Sequence, residues 1–144
     1  MASKKTEENI SRGEYVESLQ LKKLGIKRIG KSFKFSFDGL KYAFTHEQSL
    51  ALHLIVMILI ITLGIVFKLD ALEWIVSFVI GALLIVAEMF NTSIEATVDL
   101  VTGEYHPLAK VAKDTASAAC FIADTVATVI WLSIFIPKII AFFR

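Results

Sequence analysis

Several features that commonly carry crosslinks or chemistry are scarce in this 144-residue sequence. Its one cysteine, Cys120, excludes an intramolecular disulfide, and the apolar residues around it indicate that the thiol packs as a small hydrophobe. The sequence also lacks a GxGxxG pattern, the HRD and DFG sets of protein kinases, and the HExxH pair of zinc proteases. The formal net charge of +1 says little about partners, because the charges are distributed unevenly along the chain.

What the chain has in abundance is apolar sequence. Hydrophobic residues make up 56% of it and the mean hydropathy is +0.66, whereas ordinary soluble domains are about half apolar. A helix needs roughly 20 apolar residues to cross the hydrocarbon core, and three segments qualify, at about 50–67, 71–101 and 115–136. Backbone groups in lipid must be paired within their own segment, so spans of this length predict helices and not a barrel.

The segment before the first span, at about 28–45, predicts an amphipathic helix in the headgroup plane. Four apolar side chains recur at the spacing of one helix face: Phe33, Phe37, Leu40 and Phe44. By itself this pattern leaves open a plain membrane anchor or a wall of a site at the membrane interface. Residues 1–26 are polar and are expected to be poorly ordered, which leaves 27–144 as a single membrane-embedded domain. The predicted fold is all-α, with three transmembrane helices and an N-terminal amphipathic surface helix.

The distribution of Lys and Arg predicts the orientation of the chain in the membrane. Ten of the 15 precede residue 50, one follows the first span, two follow the second, and two lie in the C-terminal tail. Cytoplasmic flanks carry the excess of Lys and Arg. The N-terminus is therefore predicted to be cytoplasmic, and three spans then put the C-terminus outside.

A polar stripe interrupts the cytoplasmic end of the second span. At about 100° per residue, its members fall within about a quarter of the helix circumference; they are Glu88, Asn91, Glu95 and Asp99. Glu47 at the inner end of the first span, and Lys113 and Asp114 at the inner start of the third, belong to the same membrane face by topology. Ionisable residues inside a membrane are costly and indicate a function by default, although Asn and Glu can also join helices.

The stripe suits phosphoryl transfer to a lipid alcohol. Carboxylate oxygens are ligands for Mg²⁺, and phosphoryl transfer needs mainly positioning and charge neutralisation, which a metal and Lys113 provide. Glu88 is the deepest acid, and a carboxylate at the edge of lipid is a better proton acceptor than a solvated one, so it is the candidate base. A non-catalytic membrane subunit or an ion-conducting oligomer, whose stripe binds partner helices or cations, stays open as an alternative.

The motifs around the stripe resemble the small prokaryotic diacylglycerol kinases and the related undecaprenol kinases. They read EMFNTSIEATVD at 88–99, EYHPLAK at 104–110 and AKDTASAA at 112–119, and the resemblance covers about 27–136. It implies homotrimers of three-span subunits in the bacterial cell membrane, with active sites at subunit boundaries on the cytoplasmic side. It also implies ATP as phosphoryl donor, Mg²⁺ as cofactor, a lipid alcohol as acceptor, and no nucleic-acid partner.

The resemblance further implies roles for individual positions. The catalytic residues implied are Glu88 as the base, Asn91, Lys113 and Asp114. The metal ligands implied, which are also nucleotide contacts, are Glu47 and Glu95. The remaining nucleotide contacts are Arg28, Phe35, Asp99, Glu104, Tyr105 and His106, together with Lys113 and Asp114. The lipid contacts are Arg28, Glu88 and Ser117.

Some positions depart from the family pattern or fall outside it. Phe35 stands where a Tyr is common, so stacking on a nucleotide remains but a hydroxyl contact is lost. Asp124 lies midway along the third span, where the family is usually apolar, and it is expected to face the bundle interior, protonated or hydrogen-bonded to a Thr. His53 is interpreted as a packed or interfacial residue and not as a metal ligand.

The particular residues found in the motifs give the only indication of which lipid alcohol is phosphorylated. The NTSIE and HPLAK versions are more like the branch whose members favour undecaprenol, so undecaprenol is the predicted acceptor and diacylglycerol the alternative.

Overall fold

The computed structural model describes residues 26–144, with side chains from residue 29 onward. This range forms four helices and no strand: α1, Ile26–His46; α2, Gln48–Val66; α3, Ala71–Val101; and α4, Pro107–Phe142. The predicted all-α class is confirmed, and α2, α3 and α4 are each long and apolar enough to cross a membrane. The predicted disorder of residues 1–26 concerns a segment that, except for Ile26, lies outside the described residues.

The chain divides into two compact units, Met1–Gly39 and Leu40–Arg144. The described residues of the first unit all belong to α1, whose aromatic side chains Phe33, Phe35 and Phe37 are exposed. α1 begins and ends close to the predicted bounds of 28–45. Its location at the membrane surface stays a prediction.

A tight turn joins α2 to α3. Lys68 adopts a φ of 51°, in the left-handed region. Asp70 then begins α3 with a capping box: its side chain accepts a hydrogen bond from the backbone N–H of Glu73 at 2.9 Å, and Glu73 Oε2 accepts one from the backbone N–H of Asp70 at 2.8 Å. This reciprocal cap satisfies two backbone donors that the first turn would leave unpaired, so α3 begins sharply at Ala71.

Two glycines let α2 and α3 approach closely. A Cβ added to Gly64 would lie 2.6 Å from the ring of Trp74, and one added to Gly81 would lie 2.7 Å from Sδ of Met57. The contacts pair late α2 with early α3, and mid-α2 with mid-α3, so the two helices run antiparallel. A larger residue at Gly64 would meet the rigid ring of Trp74 and strain the packing of the two helices, whereas one at Gly81 would meet the flexible end of a methionine side chain.

The core of the second unit lies where α2, α3 and α4 meet. Its buried members are Ile60, Leu69, Leu84, Ala127, Trp131 and Phe135. The backbone of α3 approaches both of its neighbours, whereas within the described range the backbones of α2 and α4 do not come within 8 Å of each other. Helices α2 and α4 are therefore linked through side chains alone, and α3 is the helix shared by both packing interfaces.

α4 is longer than its predicted span of 115–136. It begins at Pro107, because His106 Nδ1 accepts a hydrogen bond from the backbone N–H of Leu108 at 3.2 Å and a proline at the first helical position sacrifices no helix hydrogen bond. It also continues through Pro137, where the sequence predicted its end. Beyond Pro137, the 2.8 Å ion pair between Lys138 and Glu73 fastens the last turns of α4 to the first turn of α3. At about 1.5 Å per residue, this helix exceeds the roughly 30 Å hydrocarbon core, and its ends extend beyond the apolar stretch.

Candidate active site

Glu88 is a buried carboxylate held between two helices. Only 6% of the residue is exposed, and its Oε2 accepts a hydrogen bond from the hydroxyl of Ser49 on α2 at 3.2 Å. One turn further along α3, the Thr92 hydroxyl donates to the backbone carbonyl of Glu88 at 2.9 Å. The side chain is therefore fixed from α2, while Thr92 completes the hydrogen bonding of the backbone that carries it.

Asn91 and Glu95 form the next contact along the same face of α3. Asn91 Nδ2 donates to Glu95 Oε1 at 3.1 Å, which orients the half-buried carboxylate. Asn91 Oδ1 is buried and has no hydrogen-bond partner in the part of the chain that the structure describes. The amide oxygen of Asn91 receives no hydrogen bond from the described residues and lies beside the carboxylate of Glu95. Hard divalent cations take oxygen ligands of these two kinds.

Glu47 lies at the same end of the bundle as Glu88. It is the residue that precedes α2, it is half-buried, and its side chain makes no capping hydrogen bond to the helix it begins. Ser49, two residues later, contacts Glu88. The carboxylate of Glu47 therefore remains available for a ligand near the predicted base, and its pairing with Glu95 on a metal stays a prediction.

A cavity of about 460 Å³ opens where α3 ends and α4 begins. Six of the predicted nucleotide contacts line it: Asp99, Glu104, Tyr105, His106, Lys113 and Asp114. Between the helices, the Thr102 hydroxyl accepts a hydrogen bond from the backbone N–H of Glu104 at 3.1 Å, which helps to shape the turn. The structure thus brings together residues that the sequence placed on two helices and the connection between them, and the volume is in the range of small-molecule sites.

Ion pairs set the charge of this cavity. Lys113 Nζ donates to Asp99 Oδ1 at 2.6 Å, and Lys110 pairs with Asp114 one turn away on α4. Lys113 precedes the apolar stretch of its helix, and the hydrogen bond to Asp99 raises the pKa of its ammonium group above the ordinary value. The cavity therefore offers an ammonium group that stays charged at neutral pH, as a phosphate ligand requires.

The other predicted contacts have weaker structural support. The side chain of Arg28 lies outside the described side chains, and Phe35 is exposed on α1. Ser117 is exposed on α4, and its contact with a lipid stays a prediction.

Residues 25–32 match the sequence pattern GxxxxGKS of a phosphate-binding loop. Such a loop connects a strand to the start of a helix, whereas residues 26–32 belong to the continuous helix α1.

Sequence reasoning missed one contact near Glu88. His53 Nε2 on α2 and Asp124 Oδ1 on α4 are 2.9 Å apart, so the partner of Asp124 is a histidine and not a threonine. His53 is the only ionisable residue in the predicted first span, and Asp124 is the only acid or base in the predicted third. Lone ionisable residues in two neighbouring spans are expected to pair, and that signal was present in the sequence.

Comparison with known proteins gives a consistent set of relatives. The sequence model described as "Prokaryotic diacylglycerol kinase" matches residues 34–135. The undecaprenol kinase of Bacillus subtilis (strain 168) is 33% identical over 114 residues, which are 79% of this chain and 93% of the relative. The diacylglycerol kinase of Helicobacter pylori (strain 26695) is 41% identical over 107 residues, 74% of this chain and 84% of the relative. That of Escherichia coli (strain K12) is 33% identical over 107 residues, 74% of this chain and 88% of the relative.

The range matched by the family model includes the polar groups of the site whose geometry is described above, but not Arg28. Residues 34–135 contain the polar stripe, the residues that line the cavity, and the pair formed by His53 and Asp124.

Proposed function

Because the chain belongs to the prokaryotic diacylglycerol kinase family and is a lipid kinase that uses ATP, we propose that it phosphorylates undecaprenol in the bacterial cell membrane. The main observation that supports this function is the order of the polar side chains along one face of α3. Asp99 lies in the cavity, Glu95 is one turn closer to the membrane interior, and Glu88 is two further turns in and buried. This order supports a nucleotide in the cavity, its phosphates towards Glu95, and a lipid hydroxyl at Glu88.

The transfer step follows from these positions. Glu88 accepts the proton of the lipid hydroxyl, the hydroxyl oxygen forms a bond to the terminal phosphorus of ATP, and the bond from that phosphorus to the leaving oxygen breaks to release ADP. Ser49 holds the Glu88 carboxylate towards the incoming alcohol through the 3.2 Å hydrogen bond. Lys113 neutralises phosphate charge from the cavity side. The buried setting of Glu88 also limits access of water, which would otherwise compete with the lipid for the phosphoryl group.

We propose that Mg²⁺ is held by the carboxylates of Glu47 and Glu95. The donor set fits a hard cation, because the uncapped Glu47, the oriented Glu95 carboxylate and the unpartnered Oδ1 of Asn91 all offer oxygen. When bound, the ion neutralises charge on the phosphate oxygens and helps to orient them for transfer.

We further propose a homotrimer with its active sites at subunit boundaries. Much of the apolar surface of α2, α3 and α4 is left exposed by the single chain and is available for lipid and for neighbouring copies. The concentration of Lys and Arg before residue 50 supports a cytoplasmic N-terminus and a cytoplasmic cavity, with the C-terminus outside.

Two lipid acceptors are supported by different observations. The Bacillus subtilis relative, which this chain matches over 93% of its length, is named an undecaprenol kinase. The Helicobacter pylori relative, at 41% identity, is named a diacylglycerol kinase, which favours diacylglycerol as the second candidate. The motif sequences NTSIE and HPLAK favour undecaprenol as the first candidate.

A paired-substrate assay tests the choice. The purified chain in detergent is given radiolabelled ATP and Mg²⁺, with undecaprenol or diacylglycerol in separate reactions, and kcat/KM is measured for each lipid. We expect undecaprenol to be preferred by at least about tenfold, the equivalent of 1.4 kcal/mol in transition-state binding. A preference for diacylglycerol would move the proposal to the second candidate, and no phosphorylation of either lipid would refute both.

A further inference from the structure

Three helices each contribute one ionisable side chain to a single point in the bundle. His53 comes from α2, Glu88 from α3 and Asp124 from α4, and one potential ligand atom of each lies within 4.8 Å of the other two. His53 and Asp124 lie within apolar stretches of sequence. Ionisable groups are costly in such a setting unless something compensates them. A single ligand in contact with all three would compensate them together, in addition to the hydrogen bonds that link His53 to Asp124 and Ser49 to Glu88.

The side chains of the cluster differ in burial, and His53 faces Asp124 with Nε2 while its other ring nitrogen is unpartnered within the described part of the chain. The side chain of His53 is 12% exposed, and its Nδ1 is buried with no hydrogen-bond partner among residues 29–144. The residue Glu88 is 6% exposed. The side chain of Asp124 is 45% exposed in the single chain, so it is the least enclosed of the three. The cluster thus combines a shielded interior with one more exposed carboxyl group.

The charge and the atom types indicate the class of ligand. Two carboxyl groups and one imidazole lie close together, and a divalent cation that they bind would neutralise the negative charge of the carboxylates. One nitrogen and two carboxylate oxygens suit a tetrahedral ion such as Zn²⁺ or Co²⁺, with water in the fourth position. Mg²⁺ prefers six oxygen ligands in octahedral geometry and is disfavoured by the imidazole.

We propose that His53, Glu88 and Asp124 form a binding site for a divalent transition-metal ion, distinct from the Mg²⁺ position at Glu47 and Glu95. The separation of His53 Nε2 from Asp124 Oδ1, 2.9 Å, is close to the spacing of two ligands on one tetrahedral ion, so only a small shift of either side chain admits the metal. Under this proposal, His53 is a metal ligand and not only a packed or interfacial residue.

Occupancy of this site has a consequence for catalysis that rests on the proposed function. A metal ion bound to the Glu88 carboxylate withdraws its negative charge, so the group no longer acts as a base towards a lipid hydroxyl. The metal-bound enzyme is therefore inactive, and a transition metal acts as an inhibitor even when Mg²⁺ is abundant.

Metal binding is tested directly with Co²⁺, whose tetrahedral complexes absorb visible light much more strongly than the octahedral ion in water. The full chain in detergent is titrated with Co²⁺ in the presence of excess Mg²⁺, and Zn²⁺ is then added as a competitor. We expect visible bands that saturate near one Co²⁺ per chain and are abolished by Zn²⁺. Asp124→Asn and His53→Gln each remove a ligand and should weaken binding at least about tenfold, because loss of a residue that only hydrogen-bonds to a ligand already costs about 10- to 100-fold in metal affinity.

Two further variants separate loss of a ligand from loss of the fold. Asp38→Asn removes an exposed carboxylate from α1 and should leave the Co²⁺ bands unchanged. Asp124→Cys replaces one ligand by another, and it should retain Co²⁺ and add a sulfur-to-metal charge-transfer band that the wild type lacks. A wild-type chain without tetrahedral bands, or bands that persist in both Asp124→Asn and His53→Gln, would overturn the site.

A kinase assay tests the effect of the bound metal on catalysis, whereas the Co²⁺ titration tests metal binding alone. Buffered Zn²⁺ should inhibit the wild type at concentrations that leave Asp124→Asn active. A second outcome is that Co²⁺ binds as expected while the loaded enzyme phosphorylates lipid at the rate of the metal-free enzyme. That result would support the metal site and contradict the role of Glu88 as the base.

Discussion

The hydroxyl of Ser49 donates a hydrogen bond to Oε2 of Glu88 across the interface between α2 and α3, over 3.2 Å. The two residues are 39 positions apart in sequence, and the glycines that bring their helices together lie elsewhere on those helices. Close packing at Gly64 and Gly81 thus sets the distance at which a serine on α2 can fix a carboxylate on α3. The orientation of the proposed base is therefore a property of helix packing as well as of its nearest neighbours.

Replacing the proposed base should abolish most of the activity while sparing nucleotide binding. Glu88→Gln keeps the shape of the side chain but cannot accept a proton, and we expect kcat to fall by about 10²- to 10⁴-fold. The KM for ATP should change little, because the cavity around Asp99 does not include Glu88. Steady-state assays with varied ATP measure both parameters, and wild-type turnover by this variant would exclude Glu88 as the base.

Ser49 is expected to act as a positioning residue for Glu88. Ser49→Ala removes a hydrogen bond to a charged group, which is worth about 1.5–3 kcal/mol, and we expect kcat to fall roughly 10- to 100-fold with the KM for lipid unchanged. Ser49→Thr retains the hydroxyl and should restore most of the rate. An equal loss in both variants would indicate a packing defect instead.

The proposed Mg²⁺ ligands can be tested through the metal dependence of the reaction. Glu95→Gln removes one carboxylate charge, and we expect the Mg²⁺ concentration for half-maximal activity to rise at least about tenfold. The same titration on Asp38→Asn should overlay the wild-type curve, because that carboxylate is exposed on α1. Unchanged Mg²⁺ dependence in Glu95→Gln would argue against its role as a ligand.

Lys113 and Asp99 are expected to act together on the nucleotide. Lys113→Ala removes the ammonium group from the cavity and should raise the KM for ATP and lower kcat, each about tenfold or more, because a charge-assisted contact to phosphate is lost. Asp99→Asn leaves the ammonium in place without its partner and should have the smaller effect. ATP titrations of the two variants and their double mutant measure the coupling, which should be clearly non-additive.

Close packing of α2 on α3 predicts a paired effect on stability. Gly64→Ala would put a Cβ 2.6 Å from the Trp74 ring and should lower the free energy of unfolding by about 1–3 kcal/mol, the usual cost of overpacking. Gly39→Ala is the matched control, since no described atom lies within 4 Å of its added Cβ and alanine favours helix. Reversible unfolding in detergent and denaturant measures both, and equal stability of the two variants would contradict the packing described.

Hydropathy predicted the helices well because long apolar runs have few alternatives in lipid. The observed α3 has the predicted bounds of 71–101. The ends of α4 were not predicted, because whether Pro107 begins a helix or Pro137 ends one depends on contacts made by His106 and Lys138. Proline limits a helix by its local chemistry, and packing against a neighbour can override that limit.

The candidate site was predictable within one helix and less so between helices. The spacing of Glu88, Asn91 and Glu95 places them on one face of any α-helix, and the contact between Asn91 and Glu95 follows from their separation of four residues. The contact of His53 with Asp124 spans 71 positions. It depends on how far α2 and α4 are rotated about their own axes, and hydropathy alone does not determine that rotation.

The position of α3 between its two neighbours has a consequence for changes in chain length. One unbroken helix carries the carboxylate that contacts α2 and, eleven residues later, the carboxylate that contacts α4. A single residue inserted between Glu88 and Asp99 would turn one end against the other by about 100° and move it by about 1.5 Å. A substitution in this stretch changes one contact at a time. Such an insertion would instead rotate the proposed base away from its alignment with the nucleotide cavity, so the contacts with α2 and with α4 could not both be kept.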